Sequence, residues 1–424
     1  MRDFGFWICD FRLASEATSG GPVAKGSLNR SEWLLLAVTV AAAFAIALFK
    51  VNDFDIWFHL KGGEHIVQTR AIPWVDPFSY TATHPWVYHS WLSGVAFHLL
   101  YAAGGWVALL SYKAGVIALA GWTLLRTVRR AGVPMAVACP LLVFVLYAVR
   151  FRLDMRPHVH TALFLAVFVY VLERHRLLGS QISDFRFQTE LSARGKGGLW
   201  TLPLVMAVWS NAHPGWVAGI LLVVIYLLGY FGFWISDFGL GPALNGLSQE
   251  ATRRSQSQIA NRKSQIGALA GILVCCVAAV ITNPYGIHAL LLPFQHVQSD
   301  YYKLLTLEWR RMPFNPEFLS PGSHHFLYGS TLYWVMLGLV GLSVAATWRA
   351  LTVTSALTLL VFGYLSVTAR RHADLFGIAA FPIWCRHVTL ALDKAKAWLP
   401  TLRPAGVNLG LALAILVLVG VKCS

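Results

Sequence analysis

Acidic, imidazole and indole side chains crowd a short segment directly after the first long apolar run. The segment reads N-D-F-D-I-W-F-H-L and contains Asp53, Asp55, Trp57 and His59. If it is helical, Asp55 and His59 lie four residues apart on one face, where the carboxylate could orient the imidazole or share a proton in transit. The alternative is an ordinary interfacial cap, with Asp at a helix end and His at the lipid headgroups. Because two carboxylates and an imidazole stand so close together, we predict that Asp53, Asp55 and His59 are catalytic.

Two further clusters combine imidazole with aromatic or cationic groups. H-P-W-V-Y-H-S-W-L contains His89 and Trp91, and R-L-D-M-R-P-H contains Arg156 and His158. Aromatic rings suit a sugar-stacking wall or, equally, a belt at the membrane interface. Arginine suits phosphate because its planar fork binds two oxygens at once, although headgroup contact or a pair with Asp154 would also occupy it. We predict that His89, Trp91, Arg156 and His158 bind substrate.

Three shorter clusters complete the set of polar residues near the ends of apolar runs: W-S-N-A-H-P-G, L-E-W-R-R and A-R-R-H-A-D-L-F-G. Ionisable groups in such places are functional candidates by default, although one alone is weak evidence. The residues predicted here to bind substrate are Asn211, His213, Glu308, Arg370 and Arg371. No Cys/His spacing typical of a metal site occurs, so no metal ligand is predicted, while the paired aspartates leave a divalent cofactor open.

The composition is that of an integral membrane protein. Of the 424 residues, 57% are hydrophobic and only 12% are charged, whereas roughly a quarter are charged in soluble domains. No long polar region is present, so residues 33–424 are predicted to form a single transmembrane domain behind a cytoplasmic segment, residues 1–32. The net charge of +15 could indicate nucleic acid. In a membrane protein, however, excess Lys and Arg mainly set the orientation, so no nucleic-acid partner is expected.

About eleven apolar runs approach the length that crosses a bilayer, and each should be a helix because lipid offers the backbone no other hydrogen-bond partner. The runs are Trp33–Phe49, Trp106–Leu125, Pro134–Val149, Val159–Leu172, Leu199–Ser210, Trp216–Phe233, Ile266–Thr282, Phe326–Thr347, Leu351–Val367, Leu375–Trp384 and Val407–Val421. The fold class predicted is therefore all-α, a polytopic transmembrane helix bundle.

One further stretch, Trp91–Tyr101, is either a span or an interfacial helix that lies flat on the bilayer. A flat helix with a cytoplasmic N-terminus puts most of the Lys and Arg residues inside, as the positive-inside rule prefers. The polar clusters then face the extracytoplasmic side. In this topology residues 51–90 form a first external loop and residues 283–325 a second large one. Residues 236–265, which are Ser/Gln-rich in their second half, are predicted to be a disordered cytoplasmic linker.

Taken in order, the motifs resemble those of bacterial multi-spanning membrane proteins related to GT-C glycosyltransferases. The matching pieces are D-F-D-I-W-F-H-L, I-P-W-V-D-P-F-S-Y-T, P-W-V-Y-H-S-W-L, R-P-H, N-A-H-P-G, N-P-Y-G, E-W and R-R-H-A-D-L-F-G, which run from about Asp53 to Phe381. Relatives often carry Glu where this chain has Ser90, and the K-P-P segment of some branches is missing. The identity of the sugar and the acceptor therefore does not carry over.

The resemblance implies a GT-C-type bundle with a structured first extracytoplasmic loop, in a bacterial inner membrane. It also implies transfer of a sugar from a polyprenyl-phosphate donor to an envelope or lipid acceptor, with an essential acidic residue in that loop. Asp53 and Asp55 occupy that place. An inverting transfer needs a carboxylate base beside the acceptor and a cation near the leaving phosphate, for which Arg156, Arg370 or Arg371 would serve.

The competing interpretation is a non-enzymatic membrane protein, either a transporter or an envelope-assembly component. Charge in the middle of a span would favour transport. Only Lys113 offers such a charge within an apolar run. We therefore rank transport behind glycosyl transfer.

Overall fold

The computed structural model describes residues 28–81, 86–181, 198–238, 249–298, 306–314, 330–395 and 404–423. In these ranges the chain forms α-helices and short 3₁₀ turns, and no β-strand occurs in them. The α-helices are α1 (Arg30–Ala47), α2 (Asp55–Thr69), α3 (Trp91–Arg130), α4 (Met135–Ala148), α5 (His158–Gln181), α6 (Thr201–Ala212), α7 (Trp216–Phe238), α8 (Gln249–Ile281), α9 (Ile287–Gln298), α10 (Ser330–Ala346), α11 (Val353–Thr368), α12 (Ala373–Ala395) and α13 (Pro404–Cys423). The all-α class predicted from the sequence is confirmed.

Every apolar run predicted to be a span overlaps one of these helices. Within the described ranges, four segments are long and apolar enough to cross a membrane: α1, α3, the part of α8 from Lys263 to Ile281, and the segment Arg370–Ala395 that contains α12. Shorter apolar helices accompany them, among them α4, α10 and α11. The chain is therefore an integral membrane protein, and the number of about eleven spans stays a prediction.

One large hydrophobic core joins most of the helices. Helix α1 packs against α3, α4 and α13, and its small residues Ala43 and Ala47 are fully buried, which lets neighbouring backbones approach closely. Helix α5 packs against α3, α6, α7 and α12. The turn in front of α5 is consequently held from several sides, and that turn carries much of the candidate site.

Helix α3 is divided by a kink at two glycines. Gly104 and Gly105 have non-helical backbone angles, and Gly105 has φ 58°, a left-handed value that favours glycine. The kink separates residues 91–103 from residues 106–130. The stretch Trp91–Tyr101 therefore has an axis distinct from that of the following span, as a flat interfacial helix requires.

Helix α2 and the first segment of α3 pack backbone against backbone. A Cβ atom on Gly63 would lie 2.1 Å from the carbonyl oxygen of Gly94, and one on Gly62 would lie 2.7 Å from the Tyr88 hydroxyl oxygen. Only glycine permits so close an approach. Helix α2, part of the segment predicted to be the first external loop, therefore packs closely on the bundle.

The prediction of a disordered linker over residues 236–265 is wrong for its second part. Helix α7 runs on to Phe238, and α8 already begins at Gln249, so residues 249–265 are helical. Their Ala, Gln, Glu, Arg and Lys residues are good helix formers, and the span that follows supplies a nucleus from which the helix extends. Residues 239–248 and most of the predicted cytoplasmic segment 1–32 lie outside the described residues, as does part of the predicted loop 283–325.

Candidate functional site

Two cations fix the end of α1, from which the first external loop departs. Arg150 Nε donates to the Ile46 carbonyl at 3.1 Å, and Lys113 Nζ donates to the Phe49 carbonyl at 3.3 Å. Both cations also stand over the Phe49 ring, with Lys113 Nζ 3.5 Å from its centroid. Cations in this position satisfy free carbonyls and complement the helix dipole. In the sequence, Lys113 was the charge that favoured a transporter. In the structure it is fully buried and binds the carbonyl at the end of α1.

The two aspartates lie where α2 begins. The Asp55 N–H donates to Asp53 Oδ1 at 3.0 Å, so a carboxylate occupies the positive end of the helix. The Asn52 N–H donates to Asp154 Oδ2 at 3.3 Å and thereby ties the loop to the turn before α5. Asp154, considered from the sequence as an ion-pair partner of Arg156, instead accepts backbone N–H groups.

Arg156 gathers three carboxylates. Its Nε contacts Asp53, its Nη2 lies 3.0 Å from Asp55 Oδ2, and its Nη1 lies 2.6 Å from Glu308 Oε1. Glu308 comes from the 3₁₀ turn Leu307–Trp309, which is far along the chain. The predicted meeting of the first-loop aspartates with Arg156 therefore occurs, and Glu308 joins them. Because its guanidinium faces three carboxylates, Arg156 positions acidic groups, and its predicted contact with phosphate stays a prediction.

A second arginine extends this carboxylate cluster into the bundle. The Arg152 side chain is buried, with Nη1 3.0 Å from Glu308 Oε1 and Nε 3.9 Å from Asp374 Oδ1. Arg152 Nε and Asp374 Oδ1 have no hydrogen-bond partner among the described residues. Buried polar atoms are normally paired, so these two retain capacity for a polar ligand. Sequence reasoning noted both motifs but missed Arg152 and Asp374 as site residues.

The charge balance of the cluster affects its proton affinity. In it, four carboxylates face two guanidinium groups. Desolvation raises the pKa of Asp55, with Arg156 opposing and the neighbouring carboxylates reinforcing the shift. Burial acts to lower the pKa of Arg156, but the carboxylates around it raise the value overall. Arg156 therefore stays charged, while the raised pKa makes Asp55 a better proton acceptor than an ordinary aspartate.

Two further arginines lie at the edge of the cluster on aromatic faces. The guanidinium of Arg371 is 4.3 Å from the Trp309 ring centroid, and that of Arg370 is 4.7 Å from the Phe151 centroid. Neither takes part in an ion pair with a described carboxylate. The Arg370 N–H donates to the Arg310 carbonyl at 3.0 Å, which holds these arginines beside the turn that carries Glu308. Among the arginines predicted to bind phosphate, these two keep their guanidinium nitrogens clear of carboxylates.

The predicted Asp55–His59 pair is not formed by any hydrogen bond of the described residues. Asp55 is drawn into the carboxylate cluster, whereas His59 is buried against α3, its ring parallel to that of Tyr88 and edge-on to that of Phe97. Burial lowers the pKa of His59 from 6.5 to about 3. The imidazole is therefore neutral at physiological pH. It packs α2 onto α3, and the geometry gives no support to its predicted catalytic role.

Two predicted substrate ligands, His158 and His213, bond to neighbouring backbone. His158 Nε2 donates to the Arg152 carbonyl, and His213 Nδ1 accepts from the Gly215 N–H at 3.0 Å. Thr161 Oγ1 lies 2.8 Å from the same Nδ1. Burial lowers the pKa of His213 well below 6.5, so the ring is neutral with its proton on Nε2. His158 therefore supports the backbone at Arg152 and His213 the backbone at Gly215, and direct substrate contact stays a prediction.

The predicted ligands Trp91 and Asn211 bind each other. Trp91 Nε1 donates to Asn211 Oδ1 at 2.8 Å, and Asn211 Nδ2 donates to the Ala207 carbonyl at 2.7 Å. The pair ties the start of α3 to the end of α6. His89 is half-buried just before α3, close enough for its charge to affect His213. Trp91 and Asn211 therefore connect two helices, and sugar stacking on Trp91 stays a prediction.

The described residues do not form a metal-binding constellation. No group of three His, Cys, Asp or Glu side chains among them is arranged to hold an ion. The three carboxylates that do converge share the guanidinium of Arg156. The side chains as arranged do not fit a divalent cofactor.

A cavity of about 530 Å³ opens beside the carboxylate cluster. It is lined by the loop after α1, the start of α2 and the beginning of the second segment of α3, and Asp53 forms part of its wall. Its volume lies within the range of small-molecule sites. The cluster therefore borders a space that can hold a substrate.

No family model and no curated protein matches the sequence. Among solved structures, the chain is similar to the crystal structure of the oligosaccharyltransferase of Archaeoglobus fulgidus, with a TM-score of 0.51 and 14% sequence identity. The match covers 91% of this chain and 54% of the archaeal one, so the chain spans about half the length of that protein. The chain therefore has a fold similar to that of this archaeal membrane protein. The archaeal enzyme was crystallised with a tethered acceptor peptide that contains the NVT sequon.

Proposed function

We propose that the chain is a membrane glycosyltransferase that moves a sugar from a polyprenyl-phosphate donor to a lipid or envelope acceptor. The reaction takes place at the extracytoplasmic face of a bacterial inner membrane. The observation that carries the proposal is the carboxylate cluster, in which Arg156 holds Asp53, Asp55 and Glu308 beside a cavity. The similarity of the fold to that of the archaeal oligosaccharyltransferase supports the same class of reaction, and the low sequence identity leaves the donor and acceptor to be argued from the site.

The aspartate pair supplies the base. An acceptor hydroxyl oxygen attacks the anomeric carbon of the donor, and its proton passes to Asp53 or Asp55. The desolvation that raises the pKa of Asp55 favours this transfer. Arg156 holds both carboxylates in place, and such positioning accounts for a large share of the rate in many enzymes.

The leaving group is the polyprenyl phosphate. The bond between the anomeric carbon and the phosphate oxygen breaks, and its electron pair remains on that oxygen. Arg370 and Arg371, whose guanidinium groups contact aromatic rings and no described carboxylate, are the cations suited to the developing charge. Polyprenyl phosphate cannot leave the bilayer, which explains why the cluster is built at the ends of membrane helices.

The proposal is tested by transfer of a labelled sugar from a polyprenyl-phosphate donor to membrane lipid extract. The purified protein is compared with Asp53→Asn and Asp55→Asn variants, which keep side-chain shape but remove the base. Losing a general base typically costs about 10²–10⁴-fold in rate. The matched control is Glu64→Gln on the same helix, because Glu64 is paired with Lys61 outside the cluster.

Full activity in both aspartate variants would refute the assignment of the base. A wild-type protein that binds no polyprenyl-phosphate sugar and conducts solute in liposomes would favour the transporter instead. Glu64→Gln should retain wild-type transfer, since its carboxylate lies outside the site.

A further inference from the structure

The cavity beside Asp53 combines apolar walls with one cation. Its polar wall is formed by Lys50, Asn52 and Asp53, and its apolar wall includes Phe54, Trp57 and Trp106. The rings of Trp57 and Trp106 meet edge to face with centroids 5.2 Å apart, and Trp57 is still 51% exposed. Mostly apolar walls with a few polar groups are typical of a site for an amphipathic ligand.

The charges of the cavity wall are not balanced. Asp53 is already engaged by Arg156, whereas Lys50 is exposed and forms no ion pair with a described carboxylate. Lysine presents its ammonium on a flexible four-carbon stem and acts as a point charge toward phosphate. The cavity therefore offers one positive charge to an anionic group of its ligand.

The cavity lies where membrane helices end. Lys50 follows α1 by three residues, and Trp106 is the first residue of the second segment of α3. Both helices are long and apolar enough to span the bilayer. A ligand that enters the cavity can thus keep its chains in the lipid, while its polar head reaches Asp53.

The carboxylate cluster connects this cavity with the arginines proposed to bind the leaving phosphate. Asp53 lines the cavity, and Arg156 bridges from Asp53 to Glu308. Arg371 contacts the ring of Trp309, the residue next to Glu308, and Arg370 contacts the ring of Phe151. In an in-line displacement, the attacking hydroxyl and the leaving group are on opposite sides of the reacting carbon. The base must touch the attacking hydroxyl.

We propose that this cavity binds the acceptor and that the acceptor is an anionic membrane lipid with a free hydroxyl group. Its phosphate contacts Lys50, its chains lie along Trp57 and Trp106, and its hydroxyl meets Asp53. This assignment rests on the proposed glycosyl transfer. In that step the lipid hydroxyl oxygen bonds to the anomeric carbon, its proton goes to the aspartate pair, and polyprenyl phosphate departs with the electron pair of the broken bond.

Calorimetric binding to the detergent-solubilised full chain tests the assignment without depending on transfer. The probes are dihexanoyl phosphatidylglycerol, which has the anion, the hydroxyl and the chains; dihexanoyl phosphatidylcholine, which has no net charge; and glycerol 1-phosphate, which has no chains. We expect phosphatidylglycerol to bind most tightly. Lys50→Gln should weaken that binding about tenfold, the usual loss for a hydrogen bond to a charged group, and Lys50→Arg should restore most of it.

Lys61→Gln is the matched control, because Lys61 lies in the same external loop but pairs with Glu64. It should bind phosphatidylglycerol as the wild type does. Less than a twofold loss in Lys50→Gln, or equal binding of the two phospholipids, would overturn the assignment. So would a loss on Lys50→Gln for farnesyl phosphate and not for phosphatidylglycerol, since the cavity would then hold the donor. None of these binding results affects the aspartate test of glycosyl transfer. A failure of the acceptor assignment can therefore be distinguished from a failure of the proposed function.

Discussion

Helix α5 has a charge cluster near each end, and the two clusters differ in construction. In front of the helix, Arg156 and Arg152 hold four carboxylates beside a cavity of about 530 Å³, and we call this group the outer cluster. Near the other end, Glu173 accepts from Arg176 Nη2 at 2.7 Å and from the Tyr226 hydroxyl at 2.5 Å, and we call this group the inner cluster. At 1.5 Å per residue, His158 at the start of α5 and Glu173 are about 22 Å apart along the axis.

The difference separates a site from a structural ion pair. In the inner cluster, the Glu173 carboxylate accepts hydrogen bonds from Arg176 and from the Tyr226 hydroxyl. The space beside it is about 10 Å³, which is room for about one water. The outer cluster instead borders a cavity of about 530 Å³. Charged groups beside a cavity of ligand size indicate a binding site, and charged groups without such a space indicate packing.

The largest stability effect should come from the inner cluster. Replacing the buried Glu173 with Gln removes the carboxylate that pairs with the half-buried Arg176, which we expect to lower the free energy of unfolding by about 3 kcal/mol. Thermal denaturation of the detergent-solubilised variant measures the loss. Lys61→Gln, which breaks an exposed pair, serves as the control and should leave the midpoint unchanged. An unchanged midpoint in Glu173→Gln would show that the inner cluster does not stabilise the fold.

The next effect is on the rate of transfer and is slightly smaller in free energy. It should follow from removing the arginine that holds the carboxylates of the outer cluster. Arg156→Gln removes the cation that holds Asp53, Asp55 and Glu308, and misplacement of catalytic groups by about 1 Å can reduce the rate about 100-fold. The transfer assay should show this loss mainly in kcat. The control Arg349→Gln removes an arginine that stacks on Trp348 outside both clusters and should not affect transfer. Wild-type kcat in Arg156→Gln would show that the carboxylates need no positioning.

A still smaller effect concerns pH and the packing of α2. The pKa of buried His59 is about 3 in the folded protein, against 6.5 when unfolded. Between these values the unfolded state binds more protons, so stability is full above pH 6.5 and decreases as the pH falls. At pH 5 the loss from this residue should be about 2 kcal/mol. His59→Gln should flatten that part of the pH dependence of the melting temperature, while His288→Gln, at an exposed site, should not. An unaltered slope in His59→Gln would contradict the burial of a neutral ring.

The helices and the central aspartates of the site could be predicted from the sequence. Continuous apolar runs allow only helices in lipid, so each predicted run overlaps one, and the density of polar groups in D-F-D-I-W-F-H-L singled out Asp53 and Asp55. The sequence also assigned Arg156 to a cluster expected on the same side of the membrane as these aspartates, and the three residues meet in the structure.

Contacts between distant segments were not predictable in the same way. The spacing of four residues predicted a contact between Asp55 and His59. In the structure Asp55 instead forms an ion pair with Arg156, which is distant in the chain. Lys50 was overlooked because an isolated lysine after a span is the ordinary pattern. Glu173 follows the predicted span Val159–Leu172 directly and gave no signal in the sequence, since only the packing of α5 against α7 reveals that it is buried with Tyr226.

The central claim is that the outer cluster performs chemistry and the inner cluster maintains the fold. It is tested most directly by measuring transfer rate per folded molecule and melting temperature together for Asp55→Asn and Glu173→Gln. The account predicts a crossed pattern, for which Asp53→Asn is measured beside Asp55→Asn: at least one of the two loses about 100-fold or more in rate with its melting temperature retained, and Glu173→Gln loses melting temperature with its rate retained. Wild-type rate in both aspartate variants, accompanied by melting temperatures as low as that of Glu173→Gln, would contradict it.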